Sequence, residues 1–162
     1  MNEYLASAAG SAHVVPAMQG TPTILLAEDD DGHALLVKSA LRKAGFQNSV
    51  VRFCDGQETL DFLLGPDGPL QNSNTPMVLL LDIRMPKIDG IQVLRRLRET
   101  TGFDALPVVM VTTMDDPGEM TRCHQLGCNF YLVKPVDWKV FNAALTGLAR
   151  FLSPHMASPT VN

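Results

Sequence analysis

Five side chains with metal-binding or phosphate-binding chemistry follow apolar runs of the sequence. Glu28 and Asp29 follow the first run, and Asp82 follows the third. Thr112 and Lys134 follow the fourth and the fifth. Clustered carboxylates repel one another unless a cation lies among them, and Mg²⁺ prefers oxygen ligands of this kind. A lysine and a hydroxyl can bind phosphate oxygens, and a carboxylate can accept a phosphoryl group as a nucleophile, so the set predicts magnesium-assisted phosphoryl transfer.

The elements that must position these side chains are short apolar runs alternating with segments of helical periodicity. Uninterrupted apolar runs of four or five residues suit parallel strands that are buried on both faces. The predicted strands are Ile24–Ala27, Val50–Phe53, Met77–Leu81, Val108–Val111 and Phe130–Val133. The predicted helices cover residues 35–43, 57–64, 89–97, 116–126 and 137–152, with Leu35 and Leu36 among the patterned apolar residues of the first.

Five strand–helix repeats predict an α/β protein with a doubly wound parallel sheet and helices on both faces. Arg52 marks the second strand as an edge strand, and Arg95, Arg96 and Arg98 are expected on the solvent face of the third helix. In such a sheet, ligand sites form where the strands end at their carboxyl edge. The five side chains are therefore expected to converge there.

Length and composition describe a single domain that occupies most of the chain. The 162 residues are 46 % apolar and carry a net charge of −4, which argues against disorder and against binding to duplex DNA. Three cysteines and no apolar run of about 20 residues predict a cytoplasmic protein with free thiols. We expect an N-terminal extension (1–22), a domain (23–152) and a C-terminal tail (153–162), and neither nucleic-acid nor membrane partners.

Four motifs in this order resemble a response-regulator receiver domain. They are Leu25–Asp30, Leu80–Gly90, Val111–Thr113 and Tyr131–Pro135. The resemblance covers roughly residues 23–152. It implies the flavodoxin-like (βα)5 fold, with five parallel strands in the order 2-1-3-4-5.

The resemblance also implies a role for each residue of the site. Asp82 is the expected phosphoacceptor, and Mg²⁺ is expected on Glu28, Asp29, Asp82 and the backbone carbonyl of Arg84. Lys134 is expected to contact the phosphoryl group. The Lys134–Pro135 bond that follows the fifth strand is expected to be cis.

The expected switch is a movement of Thr112 toward the phosphoryl oxygens, followed by a rotamer change of Tyr131. Arg84 and Met114 each lie two residues beyond a site residue, at positions that line the route of the attacking water in this family. They are expected to tune the lifetime of the phosphoryl group.

The resulting prediction is a signalling phosphoacceptor rather than an enzyme with a separate substrate, acting as a single-domain response regulator. The expected partners are a sensor histidine kinase, for example of the phytochrome type, or a phosphotransfer protein. The signal is expected to leave through protein–protein contact, with homodimerisation through the fourth helix, the fifth strand and the fifth helix.

Three other functions and one metal site compete with this interpretation. A nucleotide-binding module would carry a Gly-x-x-x-x-Gly-Lys or a Gly-x-Gly-x-x-Gly motif, and neither occurs in the sequence. A pseudo-receiver that is never phosphorylated is the main alternative. A phosphatase of the haloacid-dehalogenase type would need a second aspartate where this chain has Arg84. A zinc site at Cys123, His124 and Cys128 lacks a second ligand pair, so buried thiols are the favoured interpretation.

Overall fold

The computed structural model describes residues 22–43, 49–69 and 77–134, in which five strands alternate with four helices. The strands are β1 (Thr23–Ala27), β2 (Val50–Phe53), β3 (Met77–Leu81), β4 (Val108–Thr112) and β5 (Phe130–Val133). The helices are α1 (Asp31–Lys43), α2 (Gly56–Leu64), α3 (Gly90–Glu99) and α4 (Pro117–Gln125). These elements match the predicted strands and the first four predicted helices. The fifth helix, the tail and all but the end of the N-terminal extension lie outside the described residues, so the domain boundaries stay a prediction.

The strands form one parallel sheet in the order β2-β1-β3-β4-β5, as predicted. Successive residues of a strand point to opposite faces of the sheet. In β1, Leu25 packs into one apolar cluster, whereas Ile24 and Leu26 pack into the other. The first cluster includes side chains of α2, α3 and α4, and the second includes those of α1. The doubly wound architecture with helices on both faces is therefore confirmed.

Each described helix is capped by an aspartate in the loop that connects it to the preceding strand. Asp30, Asp55, Asp89 and Asp116 each accept a backbone N–H from the first turn of their helix, at 2.7–2.8 Å. A cap of this kind satisfies one of the N–H groups that a helix leaves unpaired at its start. The caps fix where the helices begin, and so they fix the loops at the carboxyl edge of the sheet.

The buried face of α1 differs from the expected one. Ala34, Val37 and Leu41 are buried, whereas Leu35 is 68 % exposed and Leu36 is 49 % exposed. The buried positions recur at intervals of three and four, which is the spacing of one helical face. The two leucines lie off that face, so the apolar pattern identified the helix but not its orientation.

Arg98 also departs from its expected place on the solvent face of α3. Its guanidinium is partly buried and donates to the carbonyl oxygens of Phe103, Leu106 and Gly127 at 2.9–3.1 Å. Arg95 and Arg96 are exposed, as expected. Arg98 therefore joins the end of α3 to the loops that precede β4 and β5.

The cysteines are free, as predicted, and two of them are buried. Burial raises the pKa of Cys123 to about 11 and that of Cys128 to about 12, so both thiols stay protonated at neutral pH. Within the described ranges, no helix is both long and apolar enough to cross a bilayer.

Candidate functional site

Glu28 and Asp82 lie side by side because their strands are neighbours in register. Ala27 at the end of β1 is paired with Leu81 at the end of β3, so the next residue of each strand emerges at the same edge. The Asp82 N–H donates to the Ala27 carbonyl at 3.0 Å. Both acidic side chains are buried, with Glu28 1 % and Asp82 5 % exposed. Two buried carboxylates at one edge demand a positive partner.

Lys134 supplies that positive charge from the far side of the sheet. It follows β5, where its N–H donates to the Thr112 carbonyl at 2.6 Å. Its side chain reaches β1, where Nζ pairs with Glu28 Oε2, and it also contacts Asp82 Oδ2 at 3.2 Å. The ammonium therefore joins the ends of three strands, and its side chain is only 9 % exposed.

The carboxylates also form a cluster with the geometry of a cation site. Carboxylate oxygens of Glu28, Asp29 and Asp82 lie within 4.8 Å of one another, and this is the only such cluster of three found in the described residues. Asp82 Oδ1 is buried and has no hydrogen-bond partner among them. An unpaired buried carboxylate oxygen is unfavourable, and a hard cation such as Mg²⁺ would compensate it. The donor set therefore fits a divalent metal ion.

Thr112 and Tyr131 meet at the backbone of Met114. The Met114 N–H donates to Thr112 Oγ1 at 3.2 Å, and the Tyr131 hydroxyl donates to the Met114 carbonyl at 2.9 Å. Both residues are buried, and burial raises the pKa of the Tyr131 phenol well above its usual range. One loop residue thus links the two expected switch side chains.

Arg84 and Met114 contact each other on the outer side of the site. Arg84 Nε approaches Met114 Sδ to 2.9 Å, and Arg84 is exposed. The contact brings together the two residues that were expected to tune the phosphoryl lifetime. The role of the Arg84 carbonyl as a metal ligand stays a prediction.

A close approach of α3 explains why glycine follows Asp89. A Cβ atom at Gly90 would lie 2.1 Å from the Asp82 carbonyl oxygen, so a larger residue would displace the backbone of Asp82. The preceding loop contains Lys87, with φ of 63°, and its ammonium pairs with Asp55 Oδ2 at 2.5 Å. This ion pair ties the loop after Asp82 to the start of α2.

Sequence reasoning missed two residues beside the acidic cluster. The sequence shows no partner for His33, but in the structure its Nδ1 lies 3.6 Å from Glu28 Oε1 and 3.5 Å from Lys134 Nζ. Arg52 was interpreted only as a sign of an edge strand. Its guanidinium donates to the carbonyls of Glu28 and Asp29 at 2.9 and 3.0 Å. A basic residue in an otherwise apolar strand beside the acidic loop is the signal that could have revealed Arg52.

The two remaining expectations concern the end of β5 and the cysteines. The predicted cis Lys134–Pro135 bond involves a proline outside the described residues. Cys123 and Cys128 are buried thiols. Cys128 Sγ lies 3.6 Å from His124 Nδ1. The described residues thus favour the interpretation as buried thiols over a zinc site.

The model of the response regulator receiver domain matches residues 24–146. The chain belongs to this family. The match includes every residue of the acidic cluster, together with Thr112, Tyr131 and Lys134. Membership confirms the resemblance stated from the four motifs, and it makes the protein a signalling protein of two-component systems.

Solved receiver structures match the chain over most of its length. A receiver domain from Rhodospirillum rubrum is 38 % identical, with a TM-score of 0.74 over 82 % of this chain and 94 % of that one. The response regulator Rcp1 of Synechocystis is 30 % identical over 79 % of this chain and 86 % of its own length. Its Mn²⁺-bound structure has a TM-score of 0.72 and 28 % identity, covering 86 % of this chain and 99 % of that one. The phosphorylated cyanobacterial phytochrome response regulator RcpA is 25 % identical, with a TM-score of 0.73 over 88 % of this chain and all of that one.

Proposed function

We propose that this receiver accepts a phosphoryl group on Asp82 and relays it as a signal. The observation that carries the proposal is the environment of Asp82, which is a buried carboxylate at a strand end. One of its oxygens contacts Lys134, and the other has no hydrogen-bond partner among the described residues. A carboxylate placed in this way has a cationic partner and an oxygen with free lone pairs, and phosphoryl transfer requires both.

Glu28, Asp29 and Asp82, with the backbone carbonyl of Arg84, would hold Mg²⁺. Rcp1 has been solved with Mn²⁺ bound, and Mg²⁺ favours the same carboxylate and carbonyl oxygens. When bound, the ion neutralises charge on the phosphoryl oxygens. Of the carboxylates that would hold the ion, Glu28 and Asp82 are buried and Asp29 is exposed.

The proposed donor is a phosphohistidine of a sensor kinase or of a phosphotransfer protein. An oxygen of Asp82 attacks phosphorus while the P–N bond to the imidazole breaks. The electron pair of that bond returns to the imidazole nitrogen, which takes up a proton, and Asp82 becomes an acyl phosphate. Lys134 Nζ, already 3.2 Å from Asp82, would donate a hydrogen bond to a phosphoryl oxygen. Hydrolysis of the acyl phosphate by water would end the signal.

The proposed switch starts at Thr112. If its hydroxyl turns toward the phosphoryl oxygens, it gives up the Met114 N–H that it accepts in this structure. Since the Met114 carbonyl holds the Tyr131 hydroxyl, a shift of the loop also releases the phenol from its buried position. Phosphorylation would thereby change the surface formed by α4 and β5.

The proposed partners are proteins at both ends of the relay. Similarity to the phytochrome response regulator RcpA supports a phytochrome-type sensor kinase as the donor. The output would be a protein contact that depends on phosphorylation, with homodimerisation through α4, β5 and the predicted helix 137–152. That last helix lies outside the described residues.

Incubation with Mg²⁺ and acetyl phosphate, followed by intact-mass measurement, tests the proposal. We expect a mass gain of one phosphoryl group, which Asp82→Asn abolishes and which chelation of the metal prevents. Asp115→Asn is the matched control, because Asp115 is an exposed aspartate near the end of β4. Failure of the unmodified chain to gain mass would favour the pseudo-receiver, and a gain that survives in Asp82→Asn would refute Asp82 as the acceptor.

A further inference from the structure

A cavity of about 430 Å³ lies between α3 and α4, beside the loop that follows Asp82. Three arginines line it, one from each element: Arg84 from the loop, Arg95 from α3 and Arg122 from α4. Its apolar lining is formed by Ile83, Ile91 and Met114. A pocket of this volume is in the range of small-molecule sites.

The two acidic residues of the cavity neutralise only part of the charge of its three arginines. Asp89 is engaged at the start of α3, where Oδ1 accepts the Gln92 N–H and Oδ2 accepts the Gln92 amide, both at 2.8 Å. Glu119 and Arg122 form a long ion pair, with 3.9 Å between Oε1 and Nη1, which is beyond hydrogen-bond distance. The lining therefore has a positive surplus in a chain with a net charge of −4.

Arg84 and Arg95 have no carboxylate partner within the described part of the chain. The hydrogen bond recorded for the Arg84 side chain goes to the sulfur of Met114, a weak acceptor. Guanidinium groups form their strongest contacts with phosphate and carboxylate, which they bind with two parallel hydrogen bonds. The pocket thus combines guanidinium donors that have no carboxylate partner with apolar side chains.

We propose that this cavity binds a phosphorylated organic molecule of about nucleotide size. The arginines would bind its phosphates, and the apolar residues would contact its organic body. Arg84 would turn from the Met114 sulfur to a phosphate oxygen, because charged acceptors bind a guanidinium more strongly than a thioether does. The acidic cluster at Asp82 takes no part in this binding.

Calorimetric titration of the full chain with ADP, without divalent metal and in the presence of chelator, tests the proposal. Removing the metal keeps the acidic cluster from binding the nucleotide and separates this result from any result on phosphorylation. We expect saturable 1:1 binding that weakens with salt. Pyrophosphate should bind more weakly because it lacks an organic body, and citrate more weakly than ADP because it lacks phosphate.

Variants test whether the arginines carry the binding. Arg95→Ala and Arg122→Ala should each weaken ADP binding by roughly tenfold, the effect of one charged hydrogen bond. Arg96→Ala is the matched control, since Arg96 is exposed on the same helix and does not line the cavity. Glu119→Gln should tighten binding, because it removes a negative charge from the lining. The Arg84 Nε–H resonance should shift on titration.

Several outcomes would overturn the proposal. These are no heat with ADP at millimolar concentration, equal losses in Arg95→Ala and Arg96→Ala, or citrate binding as tightly as ADP. A fourth is preferential binding of an acidic peptide, which would make the cavity a protein-docking site. If an arginine variant fails to fold, Glu119→Gln and the resonance of Arg84 in the unmodified chain still decide the question.

Discussion

Two basic side chains are largely withdrawn from solvent at different places in this receiver, and their partners differ in kind. Arg98 donates to three backbone carbonyls and ties the end of α3 to two loops. Lys134 contacts two buried carboxylates at the carboxyl edge of the sheet, while Asp82 Oδ1 beside it has no hydrogen-bond partner in the described residues.

The difference separates a structural charge from a functional one. The carbonyl partners of Arg98 are fixed by the backbone and change neither charge nor chemistry, so the contact has no alternative state. Under the proposed function, the carboxylate partners of Lys134 would bind a metal ion and Asp82 would become phosphorylated, and each event would change what the ammonium contacts. The unpaired oxygen of Asp82 is thus what the proposed function requires, whereas the hydrogen bonds of Arg98 support the fold.

The largest expected effect on stability comes from breaking the structural charge. Arg98→Ala removes the donor shared by three carbonyl oxygens, and we expect it to lower the free energy of unfolding by about 3 kcal/mol. Arg98→Lys should recover only part of the loss, because a single ammonium cannot span the positions that the guanidinium fork reaches. Urea denaturation measures both.

The free energies of unfolding of Arg98→Ala and Arg98→Lys should not depend on Mg²⁺ if Arg98 has a purely structural role. Exposed Arg96→Ala, two residues away on α3, is the control and should change stability by less than about 0.5 kcal/mol. A stability loss in Arg98→Ala that Mg²⁺ restores would contradict a purely structural role.

Breaking the functional charge should have an effect that depends on metal. Lys134→Ala leaves Glu28 and Asp82 without their ammonium, and we expect a loss of about 2–3 kcal/mol in chelator. Millimolar Mg²⁺ should recover more stability in the variant than it adds to the unmodified chain, because the metal replaces the missing charge. Urea denaturation with and without Mg²⁺ gives the four values needed.

A double-mutant cycle with Asp82→Asn shows whether the loss comes from the pair itself. The two substitutions should be clearly non-additive in chelator, since each removes the same contact. If Mg²⁺ stabilised Lys134→Ala no more than the unmodified chain, the idea that the metal replaces the missing ammonium charge would be wrong.

A smaller effect is expected at the outer side of the site, where Arg84 and Met114 contact each other. Arg84→Asn and Met114→Glu replace a long side chain and an apolar one with groups that admit and orient water. We expect each to shorten the half-life of phosphorylated Asp82 by about tenfold, equivalent to about 1.4 kcal/mol of barrier. The decay is followed by intact mass after acetyl phosphate is removed, with Arg96→Ala as the control. An unchanged half-life in both variants would exclude a role for this contact.

Much of the site was predictable because it depends on strand order and strand ends. Apolar runs identified the strands, and a parallel sheet brings their carboxyl ends together, which placed Glu28, Asp82, Thr112 and Lys134 at one edge. The direct pairing of Lys134 with Glu28 does not follow from strand order, because two strands lie between β1 and β5.

The contacts that were missed depend on side-chain direction. Leu35 and Leu36 were expected in the buried pattern of α1, but the orientation of the helix is set by which face fits the sheet. Arg98 was expected on a solvent face and His33 had no visible partner, because spacing within one element carries no information about the segments that fold against it. Lys134, the partner of His33, comes from a distant part of the sequence, and so does Gly127 among the partners of Arg98.

The ion pair of Asp55 and Lys87 shares features with both Arg98 and Lys134. It involves charged partners, as the Lys134 contacts do, but it supports a loop, as the Arg98 contacts do. The Lys87 ammonium, followed by the Glu58 N–H, holds the pKa of the Asp55 carboxyl below its usual range. The folded state therefore releases this proton more readily than the unfolded state does. The stabilisation by ionised Asp55 is present above an ordinary aspartate pKa of about 4 and is lost as pH falls through the lower folded pKa.

Asp55→Asn should consequently reduce stability most at neutral pH, and the gap to the unmodified chain should close at acidic pH. Urea denaturation across a series of pH values measures the gap, and exposed Asp67→Asn controls for the change in net charge. The folded pKa of Lys87 is raised by Asp55, so the pair also keeps its stabilisation until the pH rises above the lysine's ordinary value. If the stability difference between Asp55→Asn and the unmodified chain stayed constant down to about pH 2, the Asp55 cap would act through its hydrogen bonds alone. Asparagine replaces those hydrogen bonds only in part, so such a difference would not depend on pH. Closure of the gap would show that this loop is held by charge, as the site beside it is, and not by backbone contacts of the kind that hold Arg98.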